Sequence, residues 1–504
     1  MVMEDSNDQV EARLDKLERA RKMGINPYPY AFPVTHTATR LNQEGDALVA
    51  SGQELAAAGR LVAIRRQGKA AFCHLKDDHV RFQIYLREDE VGPEAFQQFD
   101  LLDLGDFMGV RGVMMRTKTG ELTLRVKSWQ MLAKALRPLP VAKVEQTEEG
   151  AKVHEGLKDT EFRYRHRGVD LAASEDAAGV FIKRTKIIHA LRNYLVSEGF
   201  MEVETPVLQV LYGGAAATPF TSRHKALDLP LYLRISDELY LKRLVAGGFN
   251  RVFEIGKDFR NEGIDRSHNP EFTMVEFYQA YADYTDMMRH MENIWAACAM
   301  AAHGSLTLTY QHTTIDLTPP WKRMTMEEAL RELGGIDFPR LKDDEVKTLL
   351  KHHDWDDAQE YSRGMAMAHL FQEICETKLI QPTFITDFPE ETTPLCKAHR
   401  DKPGLVERFE PYIAGWEIGN AYSELNDPLV QRQLFEQQAA RRSKGDQEAH
   451  PYDREFVRTM EYGMPPMGGA GIGVDRMVML LTNSYSIRDV IFFPTMRPEP
   501  QDKT

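Results

Sequence analysis

The chain has 504 residues, enough for two or three domains, and 42% of them are hydrophobic, enough for large cores. A net charge of −13 excludes a uniformly basic nucleic-acid binder, yet residues 60–143 hold 15 Lys and Arg against 10 Asp and Glu, a local surplus of 5 that suits a polyanion site. Cys73, Cys298, Cys375 and Cys396 are too scattered for a zinc knuckle and include no Cys-x-x-Cys, and no run of 18 apolar residues is present, which excludes a membrane-spanning helix.

The first twenty residues are acidic and polar where a secretory signal would be apolar, so a cytoplasmic chain with reduced thiols is expected. Residues 7–23 have Val10, Leu14 and Leu17 spaced for one face of a helix, and the three prolines of GINPYPYAFP stop it. From 57 to 135 the pattern is five short strands, AGRLVAIRR, AAFCHLKDD, VRFQIYL, DFMGVRGVMMRT and ELTLRVKSWQML, separated by Gly, Asp-Asp and Lys-Thr-Gly turns. Five strands in about eighty residues fit an OB-fold barrel or a small β-sandwich. The proline- and charge-rich stretch after Ala135 reads as a linker.

A long helix is expected over 176–198, with Phe181, Ile188, Leu191 and Leu195 on one side and Gly199 as its stop. Beyond it LYLRIS, RVFEIGKDF, FTMVEFYQAYADY, PTFITDFP and GWEIGNAYSELND read as strands of a mostly antiparallel sheet, and the more polar residues 304–365 as an insertion or subdomain.

Two segments carry the chemistry. FRNEGIDRSHNPEFTMVEF at 259–277 sets Arg260 and Glu262 before a polar loop and returns through Phe272 and Glu276. GAGIGVDRMVML at 469–480 reads as a Gly-x-Gly-x-x-Arg turn ending in Arg476, followed by an apolar helix. Two arginines, an aromatic ring and several carboxylates suit a nucleoside triphosphate with magnesium. No Walker-type glycine-lysine motif is present, so the site is not a P-loop.

These segments resemble motifs 2 and 3 of the class II aminoacyl-tRNA synthetases, and GFMEVETPVLQ at 199–209, with Pro206, resembles motif 1. ALRPLP at 135–140, RYRHRGVDL at 163–171 and EIGNAYSELNDP at 417–428 narrow the resemblance to the lysyl-tRNA synthetases, over residues 12 to 498. The resemblance implies an α+β chain: an N-terminal extension (1–56), an OB-fold anticodon-binding barrel (57–143), a linker (144–160) and a class II catalytic domain on a mostly antiparallel sheet flanked by helices (161–504). It implies activation of L-lysine by ATP, transfer to lysine-accepting tRNA, one to three Mg²⁺ ions and a homodimer.

By the same resemblance, Arg260 clamps the α-phosphate and Arg476 the γ-phosphate, Phe272 stacks under the adenine, and Glu262, His268, Asn269, Gly473 and Glu410 complete the ATP site. Glu410 and Glu417 hold the metal, whose hard character suits carboxylates. Gly214 and Glu238 hold the α-amino group of lysine, Glu276 lines its pocket, and Tyr278 and Glu424 read the ε-ammonium beside Asn420 and Tyr422. Phe72 stacks on an anticodon base, Gln83 reads a base edge, and one of Arg65 and Arg66 joins them with Glu121. The chain departs from the family pattern in RRQGK at 65–69, one residue short, and at Thr218, Ser267 and Gly168. A protein-lysylating paralogue and a catalytically silent binding protein are the competing readings; the N-terminal barrel opposes the first, and Arg260, Glu410, Glu417 and Arg476 oppose the second.

Overall fold

Five strands between Glu54 and Ala133 close into a barrel in the computed structural model of the chain, which describes residues 6–140, 143–147, 150–154, 157, 159–355, 361–443 and 449–498. The strands are β1 (Glu54–Gln67), β2 (Ala70–Asp77), β3 (Val80–Arg87), β4 (Phe107–Arg116) and β5 (Leu122–Ala133), ordered β1-β2-β3-β5-β4. Closure decides between barrel and sandwich, since β1 pairs with both β2 and β4. Asp78 and His79, both at positive φ, make the tight turn between β2 and β3, as a two-residue hairpin loop requires. Alternate residues, among them Leu75, Ile84, Leu86, Val110 and Leu124, fill the interior.

The first helix, Ser6–Lys22, buries Leu17 and half-buries Val10 as expected, but turns Leu14 outward. Arg13, Leu17 and Ala20 turn inward, and Leu14 is exposed. Arg13 takes the inner position because its guanidinium donates to the carbonyls of Leu104 and Ala135, each at 2.9 Å, while its methylenes are covered. In the stretch read as a linker, the described residues Lys143–Thr147 pair antiparallel with Gly150–His154.

The chain divides into two units, Met1–Ala178 and Gly179–Thr504. The second is built on one nine-stranded sheet. Its order is Lys322–Thr325, Thr383–Pro389, Leu405–Ile413, Gly419–Ser423, Met467–Gly473, Glu271–Ala280, Arg251–Phe259 and Met201–Glu202, with Trp416–Glu417 beside Leu405–Ile413. Only the pairs at its two ends are parallel. Along each strand, alternate residues enter separate cores: Phe253, Val275, Phe277, Ala470 and Ile472 on one face, Val252, Tyr278, Tyr422 and Met467 on the other.

Helix Tyr284–His303 covers the first face; Asp283 and Asp286 cap its start and Gly304, in the left-handed region, its end. Ile187, Leu191 and Leu195 of helix Glu175–Ser197 join the same core. Two strands differ from expectation. LYLRIS ends at Leu233 and belongs to a separate three-stranded sheet with Thr221–His224 and Leu208–Gln209. GWEIGNAYSELND breaks at Ile418 into two short strands. Residues 304–355 supply an edge strand of the main sheet, and their Trp321 and Met326 are buried in the two cores.

Candidate active site

The segment GAGIGVDR is a strand leading into a helix, rather than a turn. Met467–Gly473 lies between Glu271–Ala280 and Gly419–Ser423, and its glycines fall opposite large polar residues: Gly471 faces Glu276 and Asn420, and Gly469 faces Tyr278 and Tyr422. A flat glycine floor leaves those side chains a cavity of about 330 Å³. The intervening Ala470 and Ile472 anchor the strand in the core behind.

At one end of the cavity stand Arg260, Glu262, His268, Asn269, Phe272, Gly473, Arg476 and Glu417. Arg260 follows the strand Arg251–Phe259, and its amide donates to the Pro270 carbonyl, which closes the loop neck. Its guanidinium lies over the Phe272 ring, 5.1 Å from the centroid, with no ion pair among the described residues, Glu262 included, and its Nε is buried without a hydrogen bond. A cation held by a ring face and lacking an anion is ready for one.

Asp265 organises the loop, accepting the amides of Ser267 at 2.6 Å and His268 at 2.7 Å and meeting the His268 ring at 2.8 Å. Partial burial opposes ionisation, but these donors hold Asp265 down at about 2. Of the departures from the family pattern, Ser267 lines the cavity, whereas Arg266 packs over the Tyr485 and Trp416 rings. Thr218 accepts the Asn261 amide through its carbonyl.

Arg476 is set by its neighbour. Asp475 accepts Arg184 and the Thr273 amide, each at 2.6 Å, and so ties helix Val474–Thr482 to helix Glu175–Ser197 and to strand Glu271–Ala280. Arg476 then donates to the Glu417 carbonyl at 2.7 Å, with the Glu417 carboxylate at 3.5 Å.

Of the two expected metal ligands, Glu417 lines the cavity and Glu410 lies behind it. Glu410 is buried, ion-paired to Arg408 and accepting the Tyr412 hydroxyl at 2.6 Å. Burial and the charges of Glu417 and Glu410 push Glu376 up to about 7, so three acids crowd this corner. No three-ligand metal cluster occurs among the described residues. A pair of carboxylates in a negative field fits Mg²⁺, which keeps several waters and shares phosphate oxygens, better than a caged metal.

At the other end are Gly214, Glu238, Glu276, Tyr278, Asn420 and Tyr422. Glu276 accepts Ser236 Oγ at 2.8 Å and the Asp237 amide at 3.2 Å on one oxygen, and Tyr278 Oη at 2.9 Å on the other. Burial first, then the charges of Asp258 and Glu238, push Glu276 up to about 8. Gly214, at φ +89, has no room for a side chain against Ser236 and Glu238. Glu424 does not line the cavity; it is buried beneath, ion-paired to Lys242. Sequence reading missed Ser236, Lys242, Gly469 and Asp475. The i,i+4 spacing of Glu238 and Lys242 is the one local signal for any of them.

On the barrel, cross-strand register sorts the expected nucleic-acid residues. Arg65 pairs with Phe72, Phe72 with Tyr85, and His74 with Gln83, so these share the outer face; the Phe72 and Tyr85 rings lie 4.5 Å apart between centroids, tilted by 31°. Thr123 Oγ1 donates to Gln83 Oε1 at 2.7 Å, leaving the amide NH₂ free to donate. Glu121 is exposed, 3.6 Å from His74. Arg66 pairs with the buried Ala71, points the other way, and is held by Asp100 and the Phe99 ring.

Residues 159–497 match the family of class II tRNA synthetases (D, K and N), and residues 56–132 match the OB-fold nucleic acid binding domain. Among similar proteins are the lysine–tRNA ligase of Moorella thermoacetica, 48% identical over 99% of this chain and 100% of its own, and that of Christiangramia forsetii, 47% identical over 99% and 87%. The lysine–tRNA ligase of Clostridium novyi is 46% identical over 98% of this chain and 95% of its own.

Proposed function

The chain belongs to the class II aminoacyl-tRNA synthetases and, within them, to the lysine–tRNA ligases, and from that membership we propose how its residues divide the work. The reaction joins L-lysine to ATP as lysyl-adenylate, releases pyrophosphate, and passes lysine to the 3′ end of its tRNA. The lysine carboxylate is already ionised, so the first step needs alignment and charge neutralisation rather than a base.

Arg260 meets the α-phosphate with its unpaired guanidinium, Phe272 carries the adenine, and Arg476, steadied through Asp475, takes the γ-phosphate. Glu262, His268, Asn269 and Gly473 frame the nucleotide. Glu417, with Glu410, would hold one to three Mg²⁺ ions, which when bound neutralise phosphate charge. Glu238 and Gly214 receive the α-amino group; Glu276, Tyr278, Asn420, Tyr422 and Glu424 receive the side chain, and Glu424 is the acid at its tip.

The observation that carries the assignment is one cavity joining an arginine-rich end to a carboxylate-rich end across a glycine floor. Its test is ATP–pyrophosphate exchange with each of the twenty amino acids, followed by tRNA charging. Exchange with lysine and subsequent charging is expected; exchange that Arg260→Ala and Glu238→Gln leave untouched would refute the residue roles.

Residues 57–143 are assigned as the anticodon-binding barrel, 1–56 as its extension, 144–160 as the linker and 161–504 as the catalytic domain, with 304–365 an insertion or subdomain within it. Arg65, Phe72, Gln83 and Glu121 face the anticodon. A homodimer is supported by the apolar surface at Val196, Met201, Val207, Leu208 and Val210, around the motif 1 segment. Cytoplasmic residence suits the four free thiols. No helix among the described residues is long and apolar enough to cross a membrane.

A further inference from the structure

A lysine of the chain itself is buried beside the lysine end of the pocket. Lys242, on helix Glu238–Ala246, is fully buried and forms ion pairs with both Glu238, one turn back on its own helix, and Glu424, which follows strand Gly419–Ser423. Its ammonium stands 5.3 Å from the centroid of the Tyr422 ring. Glu238 and Glu424 are the two acids assigned to the two ammonium groups of the substrate. Apart from the contact with Lys242, neither oxygen of Glu424 has a hydrogen bond among the described residues, so Lys242 is its compensating charge.

The charge count gives the arrangement a purpose. Glu238 and Glu424 face one ammonium, that of Lys242, while Glu276, pushed up to about 8, adds little negative charge at neutral pH. The ionised pair therefore keeps net negative charge for the ammonium groups of lysine, while the substrate carboxylate goes to the arginine end of the cavity. We propose that Lys242 is a positioning residue for lysine specificity, whose fixed ammonium holds the Glu238 and Glu424 carboxylates in place and opposes protonation of Glu424, so that the pocket keeps an acid for the cationic substrate. This rests on the assignment of Glu238 and Glu424 to the lysine site.

The electrostatics agree. Burial above all, with the charges of Glu238 and Glu276, holds the Glu424 carboxyl well above the usual carboxylate range, and Lys242 is the group that opposes the rise. Facing the same volume are Tyr278 and Tyr422, whose hydroxyls burial pushes well above their usual range, and Cys396 and His450, which burial holds as neutral thiol and neutral imidazole. None of these supplies a second cation. Without Lys242, Glu424 would hold its proton to still higher pH.

The test is the pH dependence of kcat/KM for lysine in pyrophosphate exchange, from about pH 6 to 8.5, in wild type, Lys242→Met, Lys242→Arg and Glu424→Gln. Ionisation of the pocket acids makes kcat/KM rise with pH. In Lys242→Met that rise is expected to move to higher pH by about one unit or more, with the loss at neutral pH falling mainly on the KM for lysine, about tenfold or greater, and the KM for ATP unchanged. Lys242→Arg keeps the charge and is expected to keep the wild-type midpoint, whatever its KM. An unshifted profile in Lys242→Met overturns the inference, since a merely structural role lowers activity without moving a midpoint. Where Lys242→Met fails to fold, a displaced midpoint in Lys242→Arg overturns it and an unmoved one supports it. If Glu424→Gln keeps the wild-type KM for lysine, the lysine-site assignment itself has failed; if that variant loses lysine while Lys242→Met keeps its midpoint, only the present inference has.

Discussion

Gly469 leaves the space that Glu424 occupies: a Cβ at 469 would overlap both Glu424 Oε1 and the Tyr278 ring. The backbone at Gly469 is not in the left-handed region, so the requirement is for space alone. Gly469→Ala is therefore expected to fold and to bind ATP, but to displace the acid and the phenol at the lysine end. Overpacking by one methyl costs about 1–3 kcal/mol, which places the rise in KM for lysine at about 5-fold to 150-fold. Steady-state pyrophosphate exchange with lysine and ATP varied separately checks it; equal rises in both KM values would contradict a local effect.

Arg260 gives the clearest test of the nucleotide end. Its guanidinium has a ring beneath it and no ion pair among the described residues, and the buried Asp258, which feels its charge, keeps its own ion pair with Arg234 when Arg260 is removed. Arg260→Ala is expected to retain the wild-type melting temperature within a degree or two and to lose adenylate formation by roughly 10²-fold or more. Single-turnover adenylate formation, with melting as the control, separates the two. Activity near wild type would remove Arg260 from the mechanism.

The catalytic segments were legible because their chemistry is local: Arg260, Phe272 and Glu276 lie within one strand-loop-strand unit, and strands Arg251–Phe259 and Glu271–Ala280 fall where alternation predicts them. The glycine segment misled because turn and floor strand have the same composition; only the register of Gly469 and Gly471 against Tyr278 and Glu276 distinguishes them. Lys242 and Glu424 are 182 positions apart, and no periodicity announces a pair closed by tertiary packing. Leu14 misled for a different reason: Arg13 uses its charged tip on two carbonyls and buries its stem, reversing the usual order of burial.

The barrel separates Arg65 from Arg66. Arg65 shares the face of Phe72, and Arg66 is tied to Asp100 on the other. Phe72→Ala is expected to leave lysine activation unchanged and to weaken tRNA charging by about 1–3 kcal/mol, as one lost base stack. Arg65→Ala is expected to weaken charging and to reduce its salt dependence, whereas Arg66→Ala leaves that salt dependence at the wild-type slope. Charging rates over a salt series check all three, and a larger change of slope for Arg66→Ala would reverse the assignment.

His290 should make the fold sensitive to acid. Its ring is buried against Phe200 and Phe277, with Nδ1 3.0 Å from Tyr194 Oη and Nε2 3.0 Å from Gln279 Oε1. A neutral ring satisfies both contacts, donating from Nε2 and accepting at Nδ1. Burial, aided by the Arg289 charge, lowers its pKa to about 4 from 6.5. In the unfolded chain the imidazole takes a proton below about pH 6.5, which the native state refuses until about pH 4. The unfolded state therefore binds more protons in that window, and stability from this group is complete above it and lost as pH falls through it. His290→Gln removes the titration at the cost of some packing, so wild type is expected to be the more stable at pH 7 and its advantage to shrink steadily toward pH 4. Urea unfolding of both proteins across that range measures the difference directly; an advantage that stays constant with pH would show that His290 takes up its proton at the same pH in the native and unfolded states.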